Sequence, residues 1–156
     1  MYSEMLNPEF ASDAAPTVDS SSVAGLIGYA YILQNSGETE RADTLLELAL
    51  GVVGTLPRLG IAGHGIRDVQ ILALQGKPRD ALAALREAIV VGFRGTVASN
   101  GWTLAIDPYL ISLRGQPGFE AMLEELDDAV NEMHQRVLKS EKSGDWDELR
   151  AMVGGS

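Results

Sequence analysis

"NSGETERADTLLELAL" (Asn35–Leu50) and "LQGKPRDALAALREAI" (Leu74–Ile89) carry one lattice twice. Superimposed, Gly37 falls on Gly76, Ala42 on Ala81, Leu46 on Leu85 and Ala49 on Ala88, with 39 residues between the copies. Each copy sets a glycine ahead of a run whose apolar residues recur at three- and four-residue spacing, which predicts a helix with one buried face. Glycine suits the reversal between two helices because it tolerates a left-handed backbone at a helix end. An alanine early in the second helix lets two antiparallel helices approach closely, and the leucine one turn on fills the seam. One helical hairpin cannot bury its own apolar face; stacked hairpins can.

Working outward, Val23, Leu26, Ile27, Ala30 and Leu33 recur at helical spacing and stop at Asn35–Gly37. Ala42, Leu45, Leu46, Ala49, Val52 and Val53 form the stripe of a second helix that Pro57 ends. "LPRLGIAGHG" (Leu56–Gly65) reads as a connection into a third helix near His64, carrying Ile66, Val69, Leu72 and Ala73. Pro78 suits the first turn of a fourth helix, where a missing N–H costs nothing. Its buried face is expected to be Ala81, Leu82, Leu85, Ala88, Ile89 and Phe93. Asp107-Pro108 reads as an N-cap and first-turn proline of a short helix to about Arg114. A long acidic helix follows from near Phe119, with the stripe Phe119, Met122, Leu126, Val130, Met133 and Val137. The pattern predicts about six helices and no sheet. Residues 1–21, rich in Ser, Ala, Pro and Asp, are expected to be a disordered tail or linker. Glu9-Phe10 reads as a cloning remnant, which makes the chain a piece of something longer. Residues 22–140 are expected to form the helical repeat domain, and 141–156 a tail in which Trp146 and Leu149 pack back through a short turn.

The spacing of Gly37, Ala42, Leu46 and Ala49, repeated at Gly76, Ala81, Leu85 and Ala88, resembles the tetratricopeptide repeat family. Leu26, Tyr29, Ala30 and Leu33 look like the first-helix signature of that repeat. Ile66, Val69 and Leu72 match it more weakly, and the period is 39 where the family has about 34. The Gly-rich link at Leu59–Gly65 accounts for the excess. Ile66 to Val137, with "DPYLISLRGQPGFEAMLEEL" (Asp107–Leu126), resembles the C-terminal repeat region of bacterial multidomain signalling proteins, where such repeats follow a winged-helix or nucleotide-cyclase domain. The resemblance implies an all-α, right-handed stack of helical hairpins closed by a C-terminal capping helix. It also implies a non-enzymatic interaction or regulatory module with a concave groove for a protein or peptide. It places Ile27, Tyr31, Gln34, Asn35, Ile66, Arg67, Gln70 and Leu74 on that groove. Arg67 alone does not make the basic clamp that family members use on a terminal carboxylate. The alternative is structural: the repeats pack on their own upstream domain or form a homodimer.

Composition narrows the partners. Twelve Lys and Arg against 22 Asp and Glu give a formal net charge of −10. A polyanion is repelled overall, and no basic stripe overrides this, so no direct nucleic-acid contact is expected. An anionic membrane surface is disfavoured for the same reason, and no apolar run approaches the ~20 residues a spanning helix needs. With no cysteine, disulfides and thiolate-bound metals are excluded. The cytoplasm is the favoured compartment, with the periplasm the alternative if the parent chain carries a membrane anchor.

No chemical motif is complete. "GIAGHG" (Gly60–Gly65) lacks the Lys-Ser/Thr of a phosphate loop and follows no strand. His64 and His134 lie on different helices without ligand spacing and read as surface or capping residues. The acids from Glu120 to Glu132 read as a solvated helix face rather than an acid/base pair in a cleft. Ser20–Ser22 has no nucleophile motif around it. We therefore expect no catalytic residue, no metal and no cofactor. In "GWTLAIDPYL" (Gly101–Leu110), Trp102 and Tyr109 are expected to plug the end of the stack rather than anchor a partner.

Overall fold

The computed structural model describes residues 22–94 and 103–143. The expected tail at 1–21, Trp102, and the C-terminal stretch with Trp146 and Leu149 lie outside them. The described residues are mostly helical and contain no strand, so the fold is all-α. The helices are α1 (Val23–Asn35), α2 (Thr39–Val53), α3 (Arg67–Leu74), α4 (Pro78–Val90) and α5 (Pro117–Ser143), with a 3-10 helix at Pro108–Leu113 before α5.

The repeated glycines end α1 and α3 in the same way. Gly37 and Gly76 take φ of +85° and +68°, the left-handed region where a side chain would be strained. At the first turn the Glu38 N–H reaches back to the Leu33 carbonyl and the Gly37 N–H to that of Gln34. At the second, Lys77 bonds Leu72 and Gly76 bonds Ala73. This paired closure satisfies carbonyls that a helix end otherwise leaves open. Pro78 stands in the first turn of α4, as its φ and missing N–H favour.

The lattice alanines are the seam. Ala42, Ala49, Ala81 and Ala88, with Leu46 and Leu85 between them, have no exposed surface. α1 and α2 close one core from Val23, Ile27, Ala30 and Leu33 against Ala42, Leu46, Ala49 and Val53, and Ile71 of α3 completes it. The opposite side of α3 enters a second core. There Val69 and Ala73 meet Ala81, Leu85 and Ala88 of α4, Leu110 and Leu113 of the 3-10 helix, and Phe119, Met122 and Leu126 of α5. α3 is thus the shared wall, and half of its eight residues are buried, Gln70 among them. Val69, bulkier than the repeat pattern asks, is fully buried.

Three expectations need correction. The third helix starts at Arg67, because Ile66 takes the capping position before it. The short helix after Asp107 is 3-10. Its Asp107 cap accepts the Tyr109 N–H, as the Asp-Pro pair predicts. α5 runs from Pro117, close to its expected start, to Ser143. Its apolar stripe is buried only over the first turns, at Phe119, Met122 and Leu126. Val130, Met133 and Val137 are 43%, 40% and 46% exposed, since no described element packs beyond that point. α5 therefore caps the second core with one half and projects the other. No helix of the described residues is long and apolar enough to cross a membrane.

Candidate interaction face

α1, α3 and the 3-10 helix lie side by side, and α3 contacts both neighbours. Of the residues expected on a groove here, Ile27 and Ile66 are 1% and 3% exposed. They are core residues: Ile27 lies in the α1–α2 seam and Ile66 in the second core, so neither offers an apolar contact to a ligand. Leu74 is half-buried against the first core.

The expected polar residues mostly hold the elements together. Gln34 donates its amide to the Leu74 carbonyl at 2.8 Å, fastening the end of α1 to the end of α3. Gln70 is buried and donates Nε2 to Asp107 Oδ2 at 2.6 Å. It cannot serve a peptide backbone without leaving a buried carboxyl group short of a partner. Asn35 is exposed and donates its amide to the Tyr31 carbonyl one turn back, at 2.8 Å. Arg67 is half-buried at the start of α3.

Tyr31 is the expected residue that stands at the meeting point. Its ring meets that of Tyr109 edge to face, with centroids 5.3 Å apart and planes at 68°, a favoured aromatic geometry. Both rings are half-buried. Tyr109 belongs to the 3-10 helix yet packs on the first core, so it spans α3 and does not plug the end of the stack. Burial, then the Asp107 carboxyl, then Tyr31 push the Tyr109 hydroxyl up from its ordinary pKa. Gly28 makes room for it, since a Cβ there would lie 3.3 Å from the Tyr109 Oη. The Ser112 hydroxyl donates to the Ala73 carbonyl at 3.2 Å and Arg114 to the Asp107 carbonyl at 3.1 Å, fixing the 3-10 helix under the rings. Sequence reasoning missed Gly28 and Ser112. The one available signal was a glycine inside a helix, three residues before an aromatic.

A second polar cluster braces the Gly-rich link. Arg58 forks onto Asp68 at 3.0 and 2.7 Å, and also donates to the Gly65 carbonyl and to Glu87. His64 is buried beside this fork, which corrects its reading as a surface or capping residue. Its Nδ1 lies 3.8 Å from Asp68 Oδ1 and makes no hydrogen bond. Burial pushes the imidazole below its ordinary value near 6.5. The Asp68 charge opposes that shift, Arg58 and Arg67 add to it, and Glu87 opposes it weakly. Among the described residues, no three His, Cys, Asp or Glu side chains converge as metal ligands would.

No protein-family model, no curated protein and no solved structure matches this chain.

Proposed function

We propose that the chain is a tetratricopeptide-like stack of hairpins acting as a non-enzymatic protein-interaction or regulatory module, cut from a larger bacterial signalling protein. Its partner is a protein or a peptide segment. The recognition surface is the inner face where α1, α3 and the 3-10 helix meet, with Tyr31 and Tyr109 at its centre and Asn35 and Arg67 at its edges. The observation that carries this reading is the half-exposed Tyr31–Tyr109 pair. Aromatic side chains give a partner large contact area at small entropic cost, and such anchors dominate binding energies. The hydrogen bonds of Gln34, Gln70 and Ser112 fasten the face from beneath. A face fixed in advance orders little chain on binding. Ile27, Ile66 and Gln70 are not contact residues in this account; they hold the contact residues in place.

Selection of a phage-displayed random peptide library on the immobilised full chain tests the reading. Peptides enriched on the wild type should bind Tyr31→Ala about tenfold more weakly, the cost of losing one anchor. They should bind Leu48→Ala, altered on the exposed side of α2, unchanged. Circular dichroism would show that both variants stay helical. No enrichment, or enriched peptides indifferent to Tyr31→Ala, would reject the face.

A further inference from the structure

We propose that α5 pairs antiparallel with the α5 of a second copy of this chain, burying Val130, Met133 and Val137. Those three side chains continue the buried stripe of Met122 and Leu126 at spacings of four, three and four residues, the seam of a two-helix contact. The seam opens at its inner end into a hollow of about 380 Å³, walled by Leu104, Ala105, Leu123, Leu126 and Val130, with Arg94, Thr103 and Asp127 also lining it. The hollow and the stripe share Leu126 and Val130, and the hollow is where a partner's knob would seat.

Charge selects both the occupant and its direction. From Glu120 to Glu132, α5 carries six acids and no base; from Met133 to Ser143 it carries Arg136, Lys139 and Lys142 against Glu141. Two copies in parallel would stack acid on acid. Antiparallel, the register that sets Val130 opposite the partner's Met133 also sets Leu126 and its hollow opposite the partner's Val137. It lays the acidic run Glu120–Glu132 along the partner's residues 131–143, which carry Arg136, Lys139 and Lys142. The two-fold axis makes each pairing twice. In the single chain, Glu125 already meets Arg86, and Arg136 meets Glu132 at 3.4 Å across exposed surface.

The contact from residue 126 to 137 is about 17 Å long at helical rise. That is short of the ~800 Å² per partner of a standard stable interface, so the dimer is weak and concentration-dependent. It leaves the Tyr31–Tyr109 face free, and it stands or falls independently of the peptide reading.

Sedimentation velocity of the full chain from about 5 to 500 μM in 0.15 M NaCl tests it. A reversible monomer–dimer equilibrium is expected. Met133→Glu, at an exposed position that cannot unfold the body, should weaken association more than tenfold. Arg136→Glu, which takes a base from the half that lies along the partner's acids, should weaken it severalfold. Spin labels at Lys139→Cys, in a chain with no other cysteine, should read beyond about 20 Å for the antiparallel pair. A monomer at every concentration would overturn the proposal, including one that dimerises only when residues 144–156 are removed. So would a dimer indifferent to Met133→Glu, or labels in close contact.

Discussion

Gln70 of α3 and Asp107, at the head of the 3-10 helix, meet in the interior at 2.6 Å, and the aspartate has no exposed surface. The bond joins positions 37 residues apart and sets the 3-10 helix against α3. The other Asp107 oxygen caps the 3-10 helix at the Tyr109 N–H, so one buried side chain positions the ring that meets Tyr31.

Removing the amide should therefore cost stability and loosen the aromatic face together. Gln70→Ala is expected to lose about 1.5–3 kcal/mol, the range for a hydrogen bond to a charged group, in urea unfolding. Gln70→Glu sets two carboxyl groups against each other. Like charges so close raise the affinity for a shared proton. A raised folded-state value means stability is regained as pH falls, so this variant should recover between pH 7 and pH 5 relative to Gln70→Ala. The same loss at both pH values would show that the two side chains do not meet.

Gly28 and Gly25 make a paired test of the Tyr109 approach. Both lie inside α1, where alanine is ordinarily favoured over glycine by about 0.5–1 kcal/mol. A Cβ at Gly25 meets nothing, so Gly25→Ala should stabilise by that amount. At Gly28 the new methyl would press on the Tyr109 hydroxyl at 3.3 Å. Gly28→Ala should gain less or lose, and Tyr109→Phe in the same chain should restore the gain. Equal gains at both glycines would remove the ring from this position.

The lattice alanines should be intolerant of size. Ala42→Leu or Ala81→Leu forces the helix axes apart and is expected to cost about 1–3 kcal/mol. Ala83→Leu, on the exposed side of α4, should stay within about 0.5 kcal/mol of wild type. Thermal melts of the three variants side by side check this.

What the sequence made legible is what local rules control. Gly37 and Gly76 declared the reversals, and Ala42, Ala49, Ala81 and Ala88 the seam, because backbone sign and side-chain volume are set within a turn or two of chain. The Asp107 cap was readable for the same reason. Gln70 gave no such signal: a buried amide is indistinguishable from a solvated one until its partner, far along the chain, is placed. The resemblance places Ile27 and Ile66 on a groove, yet each sits on the side of its element that the neighbouring helix covers. His64 reads as a surface residue in sequence because its burial comes from the fold of the Gly-rich link around Arg58 and Asp68. The apolar stripe of α5 is plain in the sequence. Periodicity reports that a face is greasy, not what lies against it, so Val130, Met133 and Val137 came out uncovered.

Burial of His64 gives a pH signature. Its folded-state value lies below the ordinary 6.5, so the fold holds the neutral ring. Its contribution is intact above the unfolded value and is lost as pH falls below about 6.5 through the lowered one. The surrounding charges are Asp68, Arg58, Arg67 and Glu87. The melting temperature of the wild type should fall more between pH 7.5 and 5 than that of His64→Asn, which cannot titrate there. Parallel curves would place the imidazole in solvent.

The most direct measurement is a ¹⁵N–¹H correlation spectrum of the full chain titrated with a selected peptide. Recognition between α1, α3 and the 3-10 helix predicts shifts at the amides of Gly28, Tyr31, Asn35, Arg67 and Tyr109, with Asp43, Glu47 and Arg86 on the outer helices unmoved. Shifts confined to α2 and α4, with Tyr31 and Tyr109 silent, would contradict the account.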